Sequence, residues 1–124
     1  MFHFKKNQKL CNEKAIKRLF EKGKSISEKP FRLVWNIEEN RDSVFVKSLI
    51  VVPKKRIKLA VDRNVIKRRV KEAYRLNKQL LETVLVNKNQ QLNLAIIYQK
   101  KEIIDYKIIE EKIKVLLSRL KDQL

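Results

Sequence analysis

The sequence predicts an α+β fold in which helices pack on one β-sheet as a two-layer sandwich. Helical apolar periods occur at the start, centre and end of the chain, and alternating apolar segments lie between them. One glycine and two prolines leave little room for long linkers. At 124 residues and 44% hydrophobic content, the chain can build a modest core. We expect one domain over residues 1–124, with residues 1–9 as a flexible basic arm.

The first predicted element is a helix over residues 12–22. Its apolar stripe lies between Asn12, which suits an N-cap, and Gly23, which suits a C-terminal stop. The polar residues 25–30 are typical either of a connection or of an irregular edge strand.

Two strands are predicted next. Residues 31–37 alternate between apolar and polar side chains, which is typical of a strand with one face on the core. After a polar turn at 38–43, residues 44–52 form a second long strand that ends before Pro53. We expect these two strands to pair as an antiparallel hairpin.

The second half adds two helices and a strand. Asp62 is placed to cap a central helix that runs to about residue 86, and a turn follows at 87–91. A strand at 92–98 and a last helix capped by Asp105 complete the order α-β-β(-β)-α-β-α. The strands before and after the central helix suit a β-α-β crossover.

The central helix has two chemically different faces when its residues are placed at 100° intervals. One face is largely apolar and comprises Ile66, Val70, Ala73, Tyr74, Asn77, Leu80 and Leu81. The opposite face comprises Arg63, Asn64, Lys67, Arg68, Lys71, Arg75 and Lys78. Bases repeated at i,i+4 repel by a few tenths of a kcal/mol, so the row makes sense if a polyanion neutralises it. A basic but unoccupied surface is the alternative.

The composition agrees with an anionic partner. Lysine and arginine number 31 against 14 acids, which gives a net charge of +17 and a pI near 10.2. Nucleic acid is the leading partner and an anionic membrane surface the second. Lys54, Lys55, Arg56 and Lys58 extend the positive field to the start of the central helix, where unpaired N–H groups also favour an anion.

The sequence lacks the residues that several classes of function require. His3 is the single histidine and lies in the arm, Cys11 has no partner for a disulfide or a zinc site, and the acids lack metal-site spacing. Gly23, the one glycine, cannot make a glycine-rich phosphate loop. We expect no catalytic residue and no metal site in the isolated chain. Without a signal-peptide pattern or an apolar run of membrane-spanning length, a soluble cytoplasmic protein is expected.

Three aromatic residues could stack on bases of single-stranded RNA: Phe20, Phe31 and Trp35. All three also fit apolar stripes, and core packing is the stronger interpretation for Phe31. Asn64 suits either a bond to a ribose or base or a bond that holds the preceding loop. Arg69 flanks the apolar side, so we expect its stem on the core and its head in solvent.

The segment RNVIKRRVKEAY at 63–74, preceded by KLAV at 58–61, resembles the signature segment of the bacterial ribonuclease P protein subunit. The resemblance is collinear from about residue 9 to residue 120. Further agreement comes from Leu19, Phe20, Gly23, Ser25, Phe31, Leu33 and the PKK at 53–55. The chain departs from the family pattern at Ile16, Lys58 and Val65, where an aromatic residue, glycine and arginine are common.

This resemblance implies a protein that binds a catalytic RNA and the 5′ leader of precursor tRNA, promoting removal of the leader. The RNA would carry the active site and its Mg²⁺ ions. Positions carried over from the family place Arg63, Asn64, Lys67 and Arg68 against the RNA subunit, with Lys71, Lys54 and Lys55 nearby. Phe20 and a strand residue at Val34 or Trp35 would line a leader cleft between the first helix and the sheet. The family also implies a left-handed β-α-β crossover, against the usual right-handed rule.

Two other functions share parts of this pattern. A structural RNA-binding protein, such as a ribosomal component, would have the same charge and fold class. A DNA-binding regulator would use residues 62–78 as a recognition helix, but the predicted strands on both sides disfavour a helix-turn-helix. We expect neither a membrane nor an obligate protein partner.

Overall fold

A computed structural model describes residues 10, 12–39 and 44–124. The expected arm at 1–9, Cys11 and most of the expected turn at 38–43 lie outside these residues. The elements, in chain order, are α1 (Glu13–Lys22), β1 (Lys24–Glu28), β2 (Phe31–Glu39), β3 (Val46–Val51), α2 (Ala60–Asn77), α3 (Gln79–Lys88), β4 (Gln90–Tyr98) and α4 (Tyr106–Asp122). This order confirms the predicted α+β class. The segment at 25–30, for which a connection and an edge strand were both considered, contributes most of the edge strand β1.

The four strands form one sheet in the order β1-β2-β4-β3. The hairpin predicted between residues 31–37 and 44–52 is therefore wrong, because β4 lies between β2 and β3. Leu94 of β4 is the partner of Trp35 on one side and of Ser48 on the other. Alternation shows which face of a strand is buried but not which strand is its neighbour. The hairpin in the structure is β1–β2, with a cis peptide bond before Pro30 at its turn.

β3 and β4 pair in parallel and are connected through α2 and α3, as the predicted β-α-β crossover requires. One face of the sheet carries the main core under these helices and α4. Its largest fully buried side chains include Phe31, Leu33, Leu92, Leu94, Ile96 and Tyr98 from the strands and Ile66, Leu81, Leu85, Ile109 and Ile113 from the helices. Burial of this apolar surface supplies most of the driving force for folding.

The first helix packs on the opposite face of the sheet. Ala15 and Leu19 of α1 form a second apolar cluster with Val34 and Ala95 of the sheet. Asn12 caps the helix as predicted, since its Oδ1 accepts hydrogen bonds from the backbone N–H groups of residues 14 and 15 at 2.9 and 3.2 Å.

Gly23 ends α1 where the chain passes very close to its neighbours. A Cβ at this position would lie 2.3 Å from the carbonyl oxygen of Leu19 and 2.9 Å from Cγ1 of Val34. The absence of a side chain therefore allows α1 to turn directly into β1 while it stays in contact with the sheet.

The central helix differs from its prediction at both ends. It begins at Ala60 with Leu59 at the N-cap position, so the prediction that Asp62 caps it is wrong, and Asp62 lies in the first turn. The predicted single helix to about residue 86 is two helices that separate at Lys78. Asp105 holds the N-cap position of α4 as predicted, although its side chain makes no capping hydrogen bond.

Candidate nucleic-acid interface

The two faces predicted for the central helix are present in α2. Ile66, Val70, Ala73 and Tyr74 are buried against the sheet and α4. Asn77 lies on the same side, where its Nδ2 donates a hydrogen bond to the carbonyl oxygen of Ala73 at 2.7 Å. Of the predicted basic face, Asn64 and Arg68 are exposed, and Arg63, Lys67, Lys71, Arg75 and Lys78 are half-buried.

Arg63 fixes the loop that precedes α2. Its Nη1 donates hydrogen bonds to the carbonyl oxygens of Ile57 and Lys58, at 2.9 and 2.8 Å. Ile57 is itself 4% exposed and packs in the main core. The guanidinium at this end of the row therefore holds the loop to the helix, a role that its position in a basic row did not reveal.

The next two bases of the row remain available to a partner. Lys67 and Arg68 make no hydrogen bond or ion pair with any residue that the structure describes. Both side chains can therefore bind an anion without first breaking a hydrogen bond or ion pair to a described residue.

The bases nearer the end of α2 are partly neutralised. Arg75 Nε donates to Oε2 of Glu72 at 3.1 Å, and this pairing holds the pKa of the Glu72 carboxyl below its usual range. Lys78 forms an ion pair with Glu82 at 3.6 Å. The unneutralised positive charge on α2 therefore lies towards its N-terminal half.

The loop before α2 continues this positive surface. The carbonyl oxygen of Pro53 accepts hydrogen bonds from the N–H groups of residues 56 and 57, which forms a tight turn with Lys54 and Lys55 exposed at its tip. Residues 54–78 contain eleven of the 31 lysines and arginines and two of the 14 acids. We define the basic surface as this turn together with the outer face of α2 from Arg63 to Lys71.

The three residues predicted for a leader cleft do not lie together. Val34 faces α1 in the second cluster and is 3% exposed, and Phe20 on α1 is 46% exposed. Trp35, which is also 3% exposed, lies on the opposite face in the main core. Lys24 Nζ lies 5.5 Å from the centre of its indole ring. Adjacent strand residues point to opposite faces, so Val34 and Trp35 cannot both line one cleft.

Two further polar contacts lie near the basic surface and beneath α1. Arg69, which was expected to extend its head into solvent, instead donates from Nη1 to the carbonyl oxygen of Ile104 at 2.8 Å and ties α2 to the segment before α4. On the face that α1 covers, Gln91 Nε2 donates to Oδ1 of the fully buried Asn93 at 3.0 Å. This amide pair was not predicted from the sequence. Its signal was an asparagine within an otherwise apolar strand.

The described ranges contain no group of three or more His, Cys, Asp or Glu side chains that could hold a metal ion. No helix among them combines the length and apolar character needed to cross a membrane.

Comparisons with known proteins identify the family. The model of the Ribonuclease P family matches residues 4–121. The ribonuclease P protein component of Porphyromonas gingivalis is 33% identical over 119 residues, which cover 96% of this chain and 87% of that protein. The corresponding protein of Chlorobaculum tepidum is 35% identical over 92 residues, covering 68% of this chain and 60% of the relative.

Solved structures agree with the sequence comparisons. The RNase P protein of Thermotoga maritima has a TM-score of 0.69 at 27% identity, with 90% of this chain and 96% of that chain covered. The RNase P protein of Staphylococcus aureus has a TM-score of 0.68 at 21% identity, with coverages of 92% and 95%, and shows the shared fold. On the family match and the identity to its relatives, the chain belongs to the ribonuclease P protein family.

Proposed function

We propose that this chain is the protein subunit of ribonuclease P, which binds the catalytic RNA and the 5′ leader of precursor tRNA. In this complex the RNA cuts the precursor, and the protein promotes endonucleolytic removal of the leader to give the mature tRNA 5′ end. Family membership supports a role in tRNA 5′ processing. The observation that carries the RNA-binding part is the basic surface, in which Lys67 and Arg68 have no partner among the described residues.

The basic surface suits a folded RNA because its charges are held on a fixed scaffold. Ile66 and Val70 anchor α2 in the core, and Arg63 fixes the adjoining turn. Lys67 and Arg68 are thus presented at fixed spacing, and Arg68 can grip a phosphate through two parallel hydrogen bonds. Asn64, Lys71, Lys54 and Lys55 border them and belong to the same proposed interface, and Arg75 lies at its edge.

The precursor leader is proposed to bind on the face of the sheet that α1 covers. Phe20 is an exposed aromatic residue on α1, and Val34 is buried between α1 and the sheet. Stacking of a base on an aromatic ring contributes about 1–3 kcal/mol. Trp35 has no place in this proposal because it lies in the core on the other face.

The Mg²⁺ ions of the reaction are assigned to the RNA subunit, where they would stabilise the charge that develops at the phosphate. The contribution of the protein is electrostatic. Its positive surface neutralises nearby phosphates and so lowers the Mg²⁺ concentration that the RNA needs to fold and bind its substrate.

A reconstitution experiment tests the division of roles. The purified chain alone should leave precursor tRNA intact, and it should restore cleavage at low Mg²⁺ when ribonuclease P RNA is added. Cleavage by protein freed of RNA and of contaminating nucleases would refute the proposal. Sequencing of RNA that co-purifies with the tagged protein should find ribonuclease P RNA, and predominance of ribosomal RNA would favour a ribosomal component instead.

A charge substitution tests the interface. Lys67→Gln/Arg68→Gln should weaken binding to ribonuclease P RNA and reduce the slope of log K against log salt by about 0.7–0.9 for each lost phosphate contact. Lys107→Gln/Lys121→Gln is the matched control, because it removes the same charge from exposed positions on α4. Equal salt slopes for the two double variants would place the RNA on another surface.

A further inference from the structure

We propose that Leu59 and Val61 form an apolar contact for an unstacked nucleobase of the ribonuclease P RNA, inside the basic surface. The inference rests on the proposed function and adds a contact to it that does not depend on charge. We call Leu59 and Val61 the apolar pair.

The apolar pair stands out from the other surface hydrophobic residues. Leu59 is 65% exposed and Val61 is 72% exposed, the two highest values among the large hydrophobic side chains in the described part of the chain. Single exposed aliphatic residues are ordinary on protein surfaces. Leu59 and Val61 are instead both at the N-terminal end of α2, next to the exposed lysines of the preceding turn.

The fold holds this pair outward by fixing the residues on either side of it. Ile57 is buried in the main core, and Arg63 bonds the carbonyl oxygens of Ile57 and Lys58. Leu59 has an extended backbone at the start of α2, with φ −84° and ψ 130°, and Val61 lies in the first helical turn. The position of the pair is therefore set before a partner arrives, which lowers the entropy lost on binding.

The surroundings of the pair select the chemistry of its partner. Lys54, Lys55 and Lys58 are exposed on the preceding turn, and Asn64 and Arg68 are exposed on the following helix. A partner that covers Leu59 and Val61 must therefore be anionic around an apolar centre. An RNA strand with one base turned out of the stack has this arrangement, since phosphates flank the flat apolar face of the base.

An anionic membrane offers the same two properties, but the apolar area is small for that purpose. A whole myristoyl chain gives only marginal membrane binding, and two short aliphatic side chains bury less apolar surface than such a chain. Contact with a single base needs no more area than the pair provides. The observations therefore favour RNA.

The test compares two pairs of substitutions. Leu59→Ser/Val61→Ser should weaken binding to a transcript of the co-purifying ribonuclease P RNA by about tenfold, the loss expected when apolar contact of this size is removed. The slope against salt should stay at the wild-type value, because no phosphate contact is lost. Leu76→Ser/Val86→Ser is the matched control, with the same residue types at 53% and 52% exposure on α2 and α3, and should bind as wild type does.

A second variant of the apolar pair controls for an effect of the substitutions on folding. Leu59→Gln/Val61→Thr keeps similar side-chain volume and should show the same loss, with an unchanged thermal midpoint. This inference would be overturned if both variants of the apolar pair bound the RNA with wild-type affinity. The proposed function would still stand if Lys67→Gln/Arg68→Gln reduced the salt slope in the same experiment. Failure of the wild-type chain to bind the RNA would overturn the proposed function itself.

Vesicles of phosphatidylglycerol distinguish the membrane alternative. Wild-type protein and Leu59→Ser/Val61→Ser should bind them equally weakly through charge alone. Vesicle binding that is lost in the variant while RNA binding is retained would overturn the assignment to RNA.

Discussion

Replacing Arg63 should destabilise the protein more than replacing another base of the same helix. Arg63→Gln removes the hydrogen bonds from Nη1 to the carbonyl oxygens of Ile57 and Lys58, at 2.9 and 2.8 Å. A hydrogen bond from a charged donor contributes about 1.5–3 kcal/mol in favourable settings and less where water competes. The bond to Ile57 is partly buried and the bond to Lys58 is exposed, so we expect a total loss of about 1–2 kcal/mol.

The matched control is Lys67→Gln, which removes the same charge from the same helix without breaking a hydrogen bond to a described residue. Relief of the self-repulsion produced by the +17 net charge is equal in the two variants and cancels in their difference. For a chain of 124 residues, the loss corresponds to a thermal midpoint about 3–8 °C lower for Arg63→Gln than for Lys67→Gln. Circular dichroism melting curves measure this difference. Coincident curves would refute the view that Arg63 holds the turn.

Three further predictions concern the scaffold. Gly23→Ala should lower the free energy of unfolding by about 1–3 kcal/mol in denaturant titration, because the new Cβ would lie 2.3 Å from a backbone oxygen that cannot move freely; a wild-type midpoint would contradict this. Burial raises the pKa of Tyr98 to about 12, and burial with a hydrogen bond to Glu110 does the same for Tyr106. Their contribution to stability is therefore fully present below about pH 10 and is lost as the pH rises towards 12, and tyrosinate absorbance should show late titration that becomes normal in denaturant. Arg69→Gln removes the bond that ties α2 to the segment before α4 and should cost about 1 kcal/mol, measured against the exposed control Arg68→Gln.

Local patterns predicted the helices and strands of this fold better than they predicted which strands lie next to each other in the sheet. The N-cap at Asn12, the strand beginning at Phe31 and the buried face through Ile66 and Val70 each depend on side chains close in sequence. The pairing of strands depends on contacts across the whole chain. The apolar run at 94–98 was a local signal of a central strand, and β4 is indeed buried on nearly all of its length, but this signal does not identify its two neighbours.

Side-chain type also misled the prediction in identifiable ways. Asp62 suits an N-cap, but Ile57 and Arg63 fix the preceding turn so that the helix begins at Ala60 without a side-chain cap. For the candidate interface, the spacing of bases predicted the exposed face of α2. It could not distinguish Arg63, which serves the fold, from Lys67 and Arg68, which are free of described partners.

The central position of β4 bears on how this protein emerges during its synthesis. β2 and β3 have no other strand in common, so neither the sheet nor its two cores can close before residues 90–98 leave the ribosome. Until then the edges of β2 and β3 that β4 covers in the folded protein remain unpaired, and such edges are sites for aggregation. Its large positive charge opposes such association, so the composition that suits a polyanionic partner also keeps unfinished chains apart.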